Sequence, residues 1–255
     1  SLGHEPMPLR EALQRALAEE RRAVFPGGVA ILCAVFDALG ISRMRVADSA
    51  IREGLLYDLL GRIHQEDVRE RAVDELALRY HIDRAQATRV ERTAVDLLKQ
   101  VAPAWLLTGE EQQRLLAWAA TLHEIGLAIS HAQYHKHGGY LLTYLDMPGF
   151  ATGEQQTLAA LVRGHRRKVP LTDWQKLPGA QRERVLRLCC LLRIACVLHR
   201  RRSTEPLPRI EAQVENGTLR LRFPPHWLEA HALTRADLEQ EAVYLKAANL
   251  KLKFK

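Results

Sequence analysis

Apolar positions recur at helical spacing through the middle of the chain. From Glu66 to His199 the pattern predicts helices over 66–80, 84–101, 110–129, 137–145, 154–165 and 179–200. Breaks at Thr108-Gly109, Pro148-Gly149, Pro170 and Pro178-Gly179 separate them. In the second helix Val90, Val95, Leu97 and Leu98 supply apolar contacts, while Gln86, Arg89 and Arg92 lie on a polar side. Upstream, residues 9–22 are amphipathic, Pro26-Gly27-Gly28 breaks the chain, and Val29 to Leu39 reads as a short apolar helix ending at Gly40. Arg43 to Ala47 alternates like a strand, and Asp48 or Ser49 can cap a helix from Ala50 to Leu60. One short strand cannot make its own sheet, so the first 60 residues are expected to close an α/β domain whose sheet partners lie elsewhere.

The period changes after residue 202. Arg209 to Val214 and Leu219 to Phe223 both alternate, with a hairpin signal at Asn216-Gly217. Thr234 and Asp237 form a capping-box pattern for a helix over 235–247, and Asn249 to Lys255 alternates again. A small three-stranded sheet against one helix is expected there. The fold class is mostly α, in three parts: 1–61, 62–202 and 203–255.

Composition narrows the class. The 255 residues are 47% hydrophobic, as in a globular protein, and the formal charge of +7 favours a polyanionic partner. Cys33, Cys189, Cys190 and Cys196 form no CxxC pair and fit buried thiols in a reducing cytoplasm. No leader is expected, and the longest apolar run, Leu115 to Ile129, is interrupted by His123 and Glu124. It falls short of the ~20 residues a membrane helix needs, so a soluble cytoplasmic protein with no membrane partner is expected.

Candidate chemistry centres on Leu122-His123-Glu124-Ile125-Gly126 and on His131, His135 and His137. A histidine followed by a carboxylate on a helix can place two metal ligands side by side, as in HD-type phosphohydrolases. Such a site also needs a histidine from an upstream helix and an aspartate from a downstream one. Helix 84–101 has no histidine, and Cys196 stands where the aspartate would be. His123 and Glu124 therefore read as a degenerate HD-like site with no metal. The three later histidines can ligate a metal, contact phosphate or form a polar surface cluster. Two basic runs end helices: Arg163, His165, Arg166, Arg167 and Lys168, then Arg200, Arg201 and Arg202. Cations complement any helix C-terminus, but together these would grip a chain of phosphates. Aromatics are not interleaved with them, which disfavours nucleic acid. Gly27 and Gly28 offer a possible phosphate turn at a helix start. No Ser-His-Asp order, P-loop, dinucleotide fingerprint or paired catalytic carboxylates is visible.

Glu20 to Gly61, with REGLLYD at Arg52 to Asp58, resembles the end of the second actin-like domain of the exopolyphosphatase and guanosine pentaphosphate phosphohydrolase family. LHEIG at 122–126, YLDMPGF at 144–150 and LVRGHRRK at 161–168 resemble its helical domain. The resemblance implies that 1–61 is the remnant of an actin-like (ribonuclease H-like) domain, 62–202 an HD-like helical domain and 203–255 a small α+β domain. It implies a parent enzyme that uses magnesium to remove terminal phosphate from polyphosphate processively. The catalytic glutamate would lie in an N-terminal region absent from this sequence, which leaves no catalytic residue and no cofactor here. ISHAQYHKH and GHRRK lean toward the exopolyphosphatase branch, with the guanosine pentaphosphate branch as the alternative. The expected partners are inorganic polyphosphate, the catalytic domain of the same protein and a second copy in a homodimer. A dimerisation module and an HD-type nucleotide phosphohydrolase are the competing readings.

Overall fold

In the computed structural model, residues 24–41, 67–177 and 179–255 are described. The helices expected over 9–22 and 50–60 and the strand over 43–47 lie outside them. Two units are distinguished, Ser1–Ala47 and Asp48–Lys255. In the first, helix α1 spans Phe25–Leu39. Pro26 sits in its first turn, where a missing N–H costs nothing. The helix therefore starts before Gly27-Gly28, not after them. At the other end Gly40 (φ 61°) takes the left-handed conformation, and the Ile41 N–H donates to the Phe36 carbonyl at 2.9 Å.

The described residues of the second unit open with α2 (Val68–Arg79), α3 (Arg84–Trp105) and α4 (Glu110–Leu122). The Asp67 side chain accepts from the Arg69 N–H and Asp83 from the Gln86 N–H, so α2 and α3 carry N-caps at the expected breaks. Then follow α5 (Tyr134–Tyr144), α6 (Thr152–Gly164) and α7 (Gly179–Leu198). α7 is buried along most of its length, contacts α3, α4 and α6, and forms the centre of the bundle.

The long helix expected over 110–129 is instead divided. α4 ends at Leu122, and a 3-10 turn follows over Ile125–Ala128. The cause is close approach at Gly126, where a Cβ would lie 2.0 Å from the Tyr134 carbonyl oxygen and 2.5 Å from the Gly138 nitrogen. Only glycine lets the turn press this hard on α5. Gly126→Ala is expected to cost about 3 kcal/mol, the upper end for overpacking, because the clash is with backbone. Chemical denaturation with an unchanged midpoint would contradict this packing.

The C-terminal part holds β1 (Glu211–Glu215), β2 (Thr218–Arg222), a short helix α8 (Trp227–Ala230), α9 (Ala232–Lys246) and β3 (Lys251–Phe254). The order is β1-β2-β3; the first pair is antiparallel and the second parallel. Asn216 (φ 48°) and Gly217 (φ 70°) make the expected tight hairpin. The expected capping box does not form. α9 starts two residues before Thr234, which is buried inside the helix, and Asp237 pairs instead with Arg200. Gln100 of α3 ties the sheet to the bundle: its side chain donates to the Ile210 carbonyl and accepts from the Ala212 N–H. Leu219, Leu221, Leu238, Leu245 and Leu252 join the core cluster of the helices. Among the described residues no helix is long and apolar enough to cross a membrane.

Candidate phosphate-binding site

The end of α4, the start of α5, the ends of α6 and α7 and one face of α9 enclose a cavity of about 590 Å³. His123 and His165, 3% and 2% exposed, lie in its wall with their rings edge to face at 5.4 Å. Each spends its Nδ1–H on a carbonyl three residues back, Ala120 and Val162 respectively, both at 2.6 Å. These bonds fix the tautomer and leave Nε2 as the acceptor. Burial lowers the pKa of both rings, so they are neutral at pH 7. His165 was expected to grip phosphate as a cation. Its ring is instead a buried neutral wall against Tyr134, 5.3 Å away.

His135 and His199 are also buried, and desolvation brings each down to about 4. A histidine with a depressed native pKa gains its proton first in the unfolded chain, near 6.5. Stability is then fully present above pH 6.5 and is lost as pH falls toward 4. Each such histidine contributes up to about 1.4 kcal/mol per pH unit in that window. Urea titrations at pH 7, 6 and 5 are expected to show a drop steeper than one histidine allows; a flat profile would contradict the buried neutral cluster.

The eight expected phosphate-binding residues do not converge on one groove. Arg166 and Arg167 face this cavity and also a second recess beside it. The Arg166 guanidinium stacks over the Tyr134 ring at 4.5 Å, and Arg167 takes a left-handed turn with φ 62°. Arg163 and Lys168 line only the second recess, and Arg163 pairs with Asp173 at 3.1 Å. Arg201 faces a third cavity, with Trp227 and His231. Arg200 and Arg202 do reach the first cavity, but as neutralised pairs. Arg200 binds Asp237, while Arg202 binds Glu124 at 2.6 Å and Asp83 at 2.8 Å. Of the set, Arg166 and Arg167 are the cavity cations without an ion pair among the described residues.

The Arg166-Arg167 ridge is held from beneath by a residue the sequence reading missed. Arg193 of α7 is fully buried, pairs with Glu241 of α9 and donates to the carbonyls of Gly164 and Arg167, the latter at 2.5 Å. One guanidinium thus satisfies the last carbonyl of α6, fixes the loop behind it and anchors the C-terminal part. A lone arginine inside the apolar run LCCLLRIACVL was the available signal.

His123 and Glu124 sit together as the HD-like pattern requires, with Nε2 and Oε1 3.9 Å apart. Gln86 of α3 and Cys196 of α7 stand on the same wall. These donors do not fit magnesium. Glu124 is the only hard anionic oxygen among them, and it is taken by Arg202. The Cys196 thiol, pushed up by burial, stays protonated. His131 is exposed and lines the second recess with His135, His137 is half-buried and does not, and no cluster of three or more potential ligands occurs among the described residues. Gly27 and Gly28 lie inside the first turn of α1, and the Gly28 N–H already donates to the Val24 carbonyl at 3.2 Å. They form a helix start, not a free turn.

Residues 68–242 match the family description Ppx/GppA phosphatase, domain III, and residues 8–63 match Ppx/GppA phosphatase family. The chain belongs to the Ppx/GppA phosphatase family. It is 40% identical over 225 residues to a guanosine-5'-triphosphate,3'-diphosphate pyrophosphatase of Aeromonas hydrophila subsp. hydrophila, covering 88% of this chain and 45% of that protein. Proteins of the same name from Pseudoalteromonas translucida (39%, covering 89% and 45%) and Aeromonas salmonicida (38%, covering 88% and 45%) are similar. The chain spans about half the length of these relatives. All three of these relatives carry the guanosine name, the alternative branch in the sequence reading, and none is named an exopolyphosphatase.

Proposed function

We propose that this chain is the substrate-holding C-terminal part of a phosphoanhydride hydrolase of the guanosine pentaphosphate branch. The observation that carries it is the Arg166-Arg167 ridge: two cations without ion pairs among the described residues, at the mouth of a cavity, on a loop fixed by a buried arginine. Guanidinium groups match phosphate oxygens in charge and in fork geometry. The chemistry itself is assigned to the actin-like catalytic region that the family resemblance implies, with magnesium acting there. This part holds phosphates that do not react. Its helical unit is an HD-like scaffold in which the Arg202 guanidinium balances Glu124 where a metal would otherwise do so.

The names of the relatives, guanosine-5'-triphosphate,3'-diphosphate pyrophosphatases, support a nucleotide over a bare phosphate chain. The cavity's carboxylates favour neither, since Glu124, Asp237 and Glu241 are paired with Arg202, Arg200 and Arg193. Equilibrium titration of the chain with guanosine 5'-triphosphate 3'-diphosphate, against a linear oligophosphate of matched charge at equal salt, tests this. Tighter binding of the nucleotide with no phosphate release is expected. Preference for the oligophosphate would return the reading to the exopolyphosphatase branch.

A further inference from the structure

The second recess has a volume of about 750 Å³ and shares Arg166 and Arg167 with the first, but its electrostatics differ. The first contains Glu124, Asp237 and Glu241. The second contains a single carboxylate, Asp173, already paired with Arg163. Lys136 and Lys168 face it with no ion pair among the described residues. The first turn of α5 opens on the same recess through Gln133, His135 and Lys136 and carries no acidic residue. The Lys136 and His137 N–H groups already donate to the Gln133 carbonyl; the Tyr134 and His135 amides have no acceptor among the described residues, and the helix dipole there favours an anion.

His135 supplies an independent sign. It is 4% exposed, lies in the wall of the recess, and its buried Nδ1 has no hydrogen-bond partner among the described residues. Buried polar groups are nearly always paired, so an orphaned ring nitrogen in a recess lined by five cations points to a group the structure does not contain. A metal ion is excluded by the surrounding positive charge. An oxyanion fits the side formed by Lys136, Lys168 and the start of α5, away from the Arg163-Asp173 pair.

We propose that this recess is a separate binding site for one phosphate group, held by Lys136, Lys168 and the amide end of α5, with His135 beneath it. The site stands on its own geometry and does not depend on which substrate the first cavity takes. The phosphate has two possible sources: free orthophosphate, the product of any phosphoanhydride hydrolysis, or a phosphate of a bound nucleotide.

The test is calorimetric titration of the 255-residue chain with inorganic phosphate at fixed ionic strength, with ¹⁵N spectra of the histidine rings recorded in parallel. Phosphate is expected to saturate one site and shift the His135 ring resonances. Lys136→Ala with Lys168→Ala is expected to weaken binding about tenfold or more, since each removes a charge-assisted contact. Gln240→Ala, which lines only the first cavity, is expected to leave it unchanged. Non-saturating phosphate binding, wild-type affinity in the lysine double variant, or equal weakening by Gln240→Ala would overturn the proposal. The source is read by competition. A guanosine polyphosphate that displaces orthophosphate, and is itself weakened by the lysine double variant, would be the supplier; simultaneous binding of both assigns the site to the free product.

Discussion

Arg193→Ala is expected to destabilise the protein by about 3–5 kcal/mol, the cost of breaking a buried ion pair by removing one partner. Glu241 would be left buried without its guanidinium, and the carbonyls of Gly164 and Arg167 would lose their donor. Two elements should loosen together: the loop carrying Arg166 and Arg167, and the seat of α9 on α7. Arg193→Lys should not rescue, because a single ammonium cannot reach all three acceptors in the planar fork arrangement. Joint replacement by Arg193→Met and Glu241→Leu should recover much of the stability, since no charge then remains buried. Urea denaturation of the four proteins checks this; a loss below about 1 kcal/mol for Arg193→Ala would mean the pair is not the tie described.

Reversing the ridge should have the largest effect on binding. Arg166→Glu with Arg167→Glu is expected to weaken the affinity for a guanosine polyphosphate by at least about 100-fold, two charge-assisted contacts at about 1.5–3 kcal/mol each being exchanged for repulsion. Thermal stability should change little, because Arg167 is exposed and Arg166 half-buried. The salt dependence of binding should flatten as well, since fewer counterions are released. The same reversal at Arg201, which faces a different cavity, should leave affinity nearly unchanged. Equal losses at the two places would mean that only net charge matters.

The helices were legible because their apolar stripes are long and periodic, and the small sheet because alternation and Asn216-Gly217 are local signals. What failed was non-local. Nothing in residues 110–129 announces that Gly126 will meet the carbonyl of Tyr134, so the periodic run read as one helix. Pro26 followed by two glycines reads as a break, yet proline is equally suited to a first helical turn. Thr234 and Asp237 have capping-box spacing, but Arg200, 37 residues away, claims the aspartate. The site followed the same rule. That Arg166 and Arg167 were basic was plain. That Arg202 would be neutralised by Asp83, 119 residues back, and that Arg201 would point elsewhere, depended on how the bundle closes. His165 read as a cation because it sits among arginines, and burial made it neutral.

The central claim is that Arg166 and Arg167 hold substrate phosphates. Side-chain ¹⁵Nε spectra of the arginines, recorded while guanosine 5'-triphosphate 3'-diphosphate is added, test it most directly. Large shifts are expected at Arg166 and Arg167, with Arg193 moving slightly through the loop it holds and Arg201 not at all. Shifts confined to other arginines, or none at saturating nucleotide, would contradict the account.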